Sequence, residues 1–420
     1  MAHAANPRSQ TLTSADAASP VQPRGLGFLA LYALAWGGGV IAYVPLLTLI
    51  LPIKVEAIAP DDKVALLSLA TLIGAVVASV VNILIGMVSD RTVLRPRGRR
   101  PWVALGLVLT LISLAVLHAV STRVGLIGGI VLFQGALNLM LAPLSAVAAD
   151  EIPDQQKGLT GGLMGAAYTL GALAGMVVTA SADWTEATQL AIVGGLVTAC
   201  VAPFLLISRR RGAIVPASVL VIQAGGGRRR NLARIWTARL LIQIAGSILF
   251  AYLVFYFETV DRAGPPAAPS EIAREVAWLA GSVTIVLVPL SIALGRLSDA
   301  VRLRKPFLLI TATMMTAGLA LMALLPQWGP AAAGYVLFAT GVGLFLALQG
   351  AYAMQLLITP EHRGRDMGLL NLTNTIPALI APSLAFAMAG EGDFQPLLLL
   401  LTALAGVALI LLLQIREQSV

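Results

Sequence analysis

Twelve apolar runs, each long enough to cross a bilayer, divide this chain of 420 residues. A helix needs about 20 apolar residues to cross about 30 Å of hydrocarbon. The first run is Leu26–Leu51, the sixth closes at Ile207, the seventh is Ile235–Val260, the eleventh Met367–Ala389 and the last Gln395–Gln414. Each run is continuous rather than alternating, which predicts helices and not barrel strands. Hydrophobic residues make up 58% of the chain and charged residues 11%, against about 25% charged in a soluble domain. A soluble enzyme, a coiled coil and a disordered chain are therefore excluded. One cysteine, Cys200, and three scattered histidines, His3, His118 and His362, leave neither a disulfide framework nor a metal cluster. The expected fold class is an all-α integral membrane protein with twelve transmembrane helices.

The formal net charge is +8. In a soluble protein this would suggest nucleic acid. Here the cations sit in short loops, so membrane topology accounts for them and no nucleic-acid partner is expected. With both termini cytoplasmic, 28 Lys and Arg divide so that only Lys54, Lys63, Arg123, Arg262 and Arg274 face outward. The expected setting is the cell (inner or plasma) membrane. Residues 1–24, rich in Ala, Ser and Pro, read as a disordered cytosolic tail. Residues 25–207 form one six-helix unit, 208–234 a basic cytosolic linker, 235–414 a second six-helix unit, and 415–420 a short tail. The linker holds Arg209–Arg211 and Arg228–Arg230.

The two units echo each other. The second run ends Gly86-Met-Val-Ser-Asp90-Arg91, and the eighth ends Gly295-Arg-Leu-Ser-Asp299. Lys157-Gly158 with Gly162 is matched by Arg363-Gly364 with Gly368. Two echoes at almost one offset, about half the chain, argue duplication of a six-helix unit. Paired units meeting at a midplane site are a common transporter design.

Gly86-x-x-x-Asp90-Arg91 followed by Gly98-Arg99-Arg100 resembles the loop motif between the second and third helices of the major facilitator superfamily. Ser89-Asp90-Arg91-Thr92 with Gly98-Arg99-Arg100-Pro101-Trp102, and Asn371-x-x-Asn374-Thr375-x-Pro377, resemble the glycoside–pentoside–hexuronide:cation symporters and their sucrose-transporter-like relatives. The resemblance implies two pseudo-symmetric six-helix bundles and a monomer. It also implies a cytosolic gate. Asp90 would meet the start of the eleventh helix, with Arg365 as its cation, and Asp299 the start of the fifth near Gly158, with Lys157 as its cation. Gly86 and Gly295 would allow close approach. The alternative is that these charges only set topology, the reading favoured for the basic run Arg95–Arg100.

No acid or base falls at the middle of a run; Arg239 is placed near the inner start of the seventh and Glu258 near its outer end. The symporter branch carries coupling carboxylates on its first, second and fourth helices, where this chain has Trp36, Asn82, Gln134 and Asn138. No cofactor is expected, and a coupling proton or sodium ion has no evident carboxylate site. The candidate solute site is neutral and polar. Gln134 and Asn138 stand one turn apart on the fourth helix, and Gln349 and Tyr352 similarly on the tenth. Trp36, Tyr168 and Asn374 extend it, as amides, phenols and rings suited to a hydroxylated solute. Interhelical hydrogen bonding is an equal alternative for the paired residues. The expected function is secondary active transport, by alternating access, of a neutral sugar or glycoside. An exporter of apolar compounds and a non-transporting scaffold are the alternatives. Without HExxH, GxSxG or an intramembrane carboxylate pair, an enzyme is not expected.

Overall fold

A computed structural model describes residues 23–181, 183–208, 227–262, 269–357, 362–388 and 393–415. The described residues form twelve long helices. They are α1 (Leu26–Ile58), α2 (Lys63–Asp90), α3 (Arg100–Ala119), α4 (Arg123–Glu151), α5 (Lys157–Val178) and α6 (Glu186–Ile207), then α7 (Gly227–Glu258), α8 (Pro269–Val301), α9 (Lys305–Leu324), α10 (Trp328–Leu356), α11 (Arg363–Met388) and α12 (Gln395–Leu413). All but α11 are long and apolar enough by composition to cross a membrane among the described residues, and α11 packs between α2 and α7.

Local chemistry sets the helix ends. Pro at the first turn starts α3, α9 and α12, where its missing N–H costs nothing. Thr122 and Thr185 cap α4 and α6 by accepting from Gly125 N at 3.1 Å and Thr188 N at 3.3 Å. Pro45 lies inside α1, immediately before a π-helical turn at Leu46–Ile50. Without its N–H, one rung of the ladder is lost and the turn widens there.

The helices sort into two bundles with separate cores. Leu29, Tyr32, Phe133, Leu137 and Phe204 anchor the α1–α6 bundle. Ile242, Phe257, Met315, Phe345 and Leu401 anchor the α7–α12 bundle. Outward stripes remain apolar, as on α2 at Leu69, Leu72, Val76, Val80 and Leu84. That spacing of three and four is a lipid-facing helix surface.

Two boundaries differ from the sequence expectation. Helix α7 starts at Gly227, so the end of the basic linker continues the helix instead of looping to Ile235. Arg24, assigned to the tail, is buried at the foot of α1, with its guanidinium on Glu151 at 2.6 Å and over the Phe28 ring at 4.3 Å. The rest of the linker, 209–226, and the terminal stretches 1–22 and 416–420 lie outside the described residues.

Candidate functional site

At the end where the Arg-rich loops lie, hereafter the basic end, the bundles are fastened at two matching places. Asp90 closes α2. Its carboxylate accepts from the backbone N–H groups of Gly364 at 2.8 Å and Arg365 at 3.1 Å, the first turn of α11. Asp299, near the end of α8, accepts from Gly158 N at 2.9 Å and Leu159 N at 2.8 Å, the first turn of α5. A carboxylate at a helix N-terminus meets unpaired N–H groups and the positive end of the helix dipole. Each acid also holds an arginine: Arg99 on Asp90 at 2.7 Å, and Arg304 on Asp299. Ser89 and Ser298 accept from these same guanidiniums.

The approach requires glycine. A Cβ on Gly86 would run into the Gly364 carbonyl, and one on Gly364 into that of Gly86. Gly295 and Gly158 stand in the same relation. Gly98, at φ 55°, supplies the left-handed turn that sends Arg99 inward. Arg99 continues to Asp150 of α4 at 2.7 Å, and Asp150 accepts from Arg363 at 3.2 Å. Burial opposes the Arg99 charge, but Asp150 and Asp90 outweigh it and raise its pKa above the ordinary arginine value. Arg100 makes a bidentate pair with Glu151, at 2.6 and 3.1 Å. Arg91 is exposed.

The cations differ from those expected. Arg365 serves Asp90 through its backbone N–H alone, while its guanidinium turns to Asp366 at 2.9 Å. Lys157 is buried, but it pairs with Asp154 at 2.6 Å and donates to the Met354 carbonyl at 3.3 Å. Arg304 takes the place assigned to Lys157, because the turn after α8 folds it back beneath its own helix. Arg304 and Asp150 stand outside the residues that the motif singles out; a basic run after each Gly–Asp element, Arg95–Arg100 and Arg302–Lys305, is the signal the sequence carries for Arg304.

Above these latches the bundles stay in contact for several helical turns. The Cβ positions of Gly368 and Gly162 abut the backbones of α2 and α8. Ser79 donates to Thr375 at 2.6 Å, eleven residues, or about 16 Å, up α2 from Asp90. Helices α1 and α7 form no comparable interface.

Around that level a polar cluster gathers on α7, α10 and α11. Arg239 donates through Nη1 to Gln349 Oε1 at 2.6 Å and through Nη2 to Asn374 Oδ1 at 3.0 Å. Gln243 also donates to Asn374 Oδ1, at 2.9 Å, and Asn374 Nδ2 to Asn371 at 2.8 Å. Tyr168 of α5 lies close enough to Arg239 to interact electrostatically, and close likewise to Tyr43 of α1. The candidate site is therefore not neutral, as the sequence leads one to expect, but holds a guanidinium. Arg234, on the same helix, binds the Gln414 carbonyl just past the end of α12. Arg239 lies five residues deeper, about 7.5 Å, and its side chain reaches Asn374, about 16 Å into α11. An extended α7 hides this depth when the helix is taken to begin at Ile235.

The remaining candidates are divided. Tyr168, Gln349 and Asn374 meet at the cluster. Asn138 lies elsewhere, accepting from Asn82 at 2.9 Å and donating to the Gln134 carbonyl at 2.9 Å within the first bundle. Gln134 is buried beside Gly74, Trp36 packs half-buried against the first core, and Tyr352 belongs to the second core.

A sequence profile of the Major Facilitator Superfamily matches residues 26–347 and again 265–419. Comparison with curated protein sequences gives no match. The human organic anion transporter MFSD10 (TETRAN) is similar in structure, with 14% identity and a TM-score of 0.73 over 93% of this chain and 100% of that one. So is FucP, the E. coli fucose:proton symporter, in its outward conformation: 12% identity, TM-score 0.71, 94% and 99% covered. A bacterial homologue of the iron transporter ferroportin, outward-facing with soaked iron, gives 16%, 0.68, 94% and 100%. At such identities the likeness is one of fold.

Proposed function

The chain belongs to the Major Facilitator Superfamily, and from that membership we propose that it moves a small hydroxylated solute across the cell membrane by alternating access. The basic end is cytosolic under this reading, by the excess of Lys and Arg in its loops. The conformation is then outward-facing: closed on the cytosolic side, with a polar cleft above. The observation that carries the proposal is the mirrored latch, Asp90 on α11 and Asp299 on α5, beneath an amide-rich cluster. Coupling free energies of about 1–3 kcal/mol suffice to bias such a two-state equilibrium. Two carboxylates held by backbone N–H groups and arginines are of the right size, since charged hydrogen bonds contribute about 1.5–3 kcal/mol each.

The solute class follows from the lining. Arg239, Gln243, Gln349, Asn371, Asn374 and Tyr168 offer hydrogen bonds to hydroxyl groups, and the sequence around Ser89–Thr92 and Gly98–Trp102 resembles symporters of glycosides and hexuronides. An apolar cargo would offer no acceptor to Arg239 Nε and Gln349 Nε2, the two buried donors of this cluster that lack one, at roughly 1–3 kcal/mol each, which argues against export of apolar compounds.

Cysteine accessibility in vesicles tests the gate. In a Cys200→Ser background, Asn374→Cys should react with a membrane-impermeant maleimide from the outer face and be protected from the cytosolic face. Adding Asp90→Asn should raise cytosolic labelling several-fold. No labelling from the outer face, or cytosolic labelling indifferent to Asp90, rejects this gate and favours a static scaffold.

A further inference from the structure

We propose that the transported solute carries a carboxylate and that Arg239 is its receptor; this rests on the reading of the cleft as a transport site and names its substrate class. A guanidinium buried among membrane-spanning helices is costly unless an anion accompanies it. At the basic end of this protein that rule is kept: Arg99, Arg304, Arg24, Arg100 and Arg363 each hold an acid. Arg239 does not. Among the described residues no carboxylate oxygen pairs with it, and its two acceptors, Gln349 Oε1 and Asn374 Oδ1, are neutral amides.

Two further donors are left without an acceptor. Arg239 Nε is fully buried and unpartnered. Gln349 gives its oxygen to Arg239, which turns Gln349 Nε2 away; that atom is also buried and unpartnered. The cluster thus presents one positive charge and, among its fully buried side-chain atoms, two donors without an acceptor and no acceptor without a donor. The complementary ligand group is an anionic oxygen pair.

The geometry of the fork narrows it. Nε and Nη2 form the edge of a guanidinium that takes a carboxylate side-on, with two parallel hydrogen bonds. Nε has no acceptor here, and the acceptor of Nη2, Asn374 Oδ1, keeps a second donor in Gln243 Nε2. Asn374 can release Nη2 without becoming unpaired. Nη1 stays on Gln349 and fixes the fork. One cation matches one carboxylate charge, whereas a phosphate dianion would leave a charge unmatched. Tyr168 and Asn371 remain for the hydroxyl-bearing part of the solute.

The test is thermal unfolding of the full chain in detergent at constant ionic strength, with matched pairs: D-glucuronate against D-glucose, D-gluconate against sorbitol, and L-lactate against 1,2-propanediol. Inorganic phosphate and sulfate form a separate arm. A bound ligand raises the midpoint by mass action. At least one acid should raise it while its neutral partner does not. Arg239→Gln should weaken the acid at least tenfold, and Arg239→Lys, which keeps the charge but loses the fork, should fall between. Each variant is first checked for an unchanged elution profile; should Arg239→Gln fail to fold, Arg239→Lys and the matched pairs on the native chain decide. Stabilisation by neutral partners equal to that by acids, by acids equally in native and folded Arg239→Gln protein, by phosphate or sulfate alone, or by none of the panel overturns the proposal. The maleimide experiment on Asn374→Cys needs no ligand, so the transport reading stands or falls separately.

Discussion

At the scale of single residues, similar polar side chains do different work according to what they face. Asn82 and Asn138 bond each other between α2 and α4 at 2.9 Å, inside one bundle. A double-mutant cycle of Asn82→Ala and Asn138→Ala should return a coupling near 0.6 kcal/mol, the average for such bonds in membranes; a value near zero would show that the bond adds nothing. The pairing explains why Asn138 reads as a site residue from spacing alone: helical periodicity places it one turn from Gln134 but does not say which neighbour it meets. Arg239 illustrates the reverse. It is visible in the sequence as a cation within the seventh apolar run, yet its depth depends on where α7 begins, and Arg228–Arg230 read equally as a loop. The glycines of α5 are legible in the sequence, because Gly161, Gly162, Gly165, Gly171 and Gly175 on one helix imply close packing. Gly161 indeed faces the Ala347 carbonyl and Gly162 that of Ser291. Gly161→Val should therefore disturb the contact of α5 with α10 and lower protein yield or thermal midpoint, whereas Gly128→Val, with open space at its Cβ, should leave both unchanged.

At the scale of elements, the feet of the helices hold the charge. Glu151, at the end of α4, binds Arg24 and Arg100 together, each at 2.6 Å. Glu151→Gln removes the negative charge that the largely buried guanidiniums of Arg24 and Arg100 share and should cost about 3 kcal/mol of stability, read as a lowered unfolding midpoint. An unchanged midpoint would mean that solvent already screens the triad. The twelve helices and their duplication could be read from run length and from the two Gly–Asp elements. The partners of Lys157 and Arg365 could not, because each side chain chooses among several acids within reach of a turn whose path the sequence does not give.

At the scale of the whole molecule, Asp150 joins the bundles by holding Arg99 of one and Arg363 of the other. Asp150→Asn should act with Asp90→Asn less than additively in the maleimide assay, since both loosen the hold on Arg99; strict additivity would place them in separate units. The latches themselves are lopsided in chemistry. On α2 and α8 the contact is made by carboxylate side chains, while on α11 and α5 it is made by main-chain N–H groups, which every amino acid but proline supplies. Half of this fastening is thus invisible to an alanine scan: Arg365→Ala and Leu159→Ala keep the N–H that each carboxylate holds, the second losing only packing against the first core, and Leu159→Pro would uncover the bond that neither reveals.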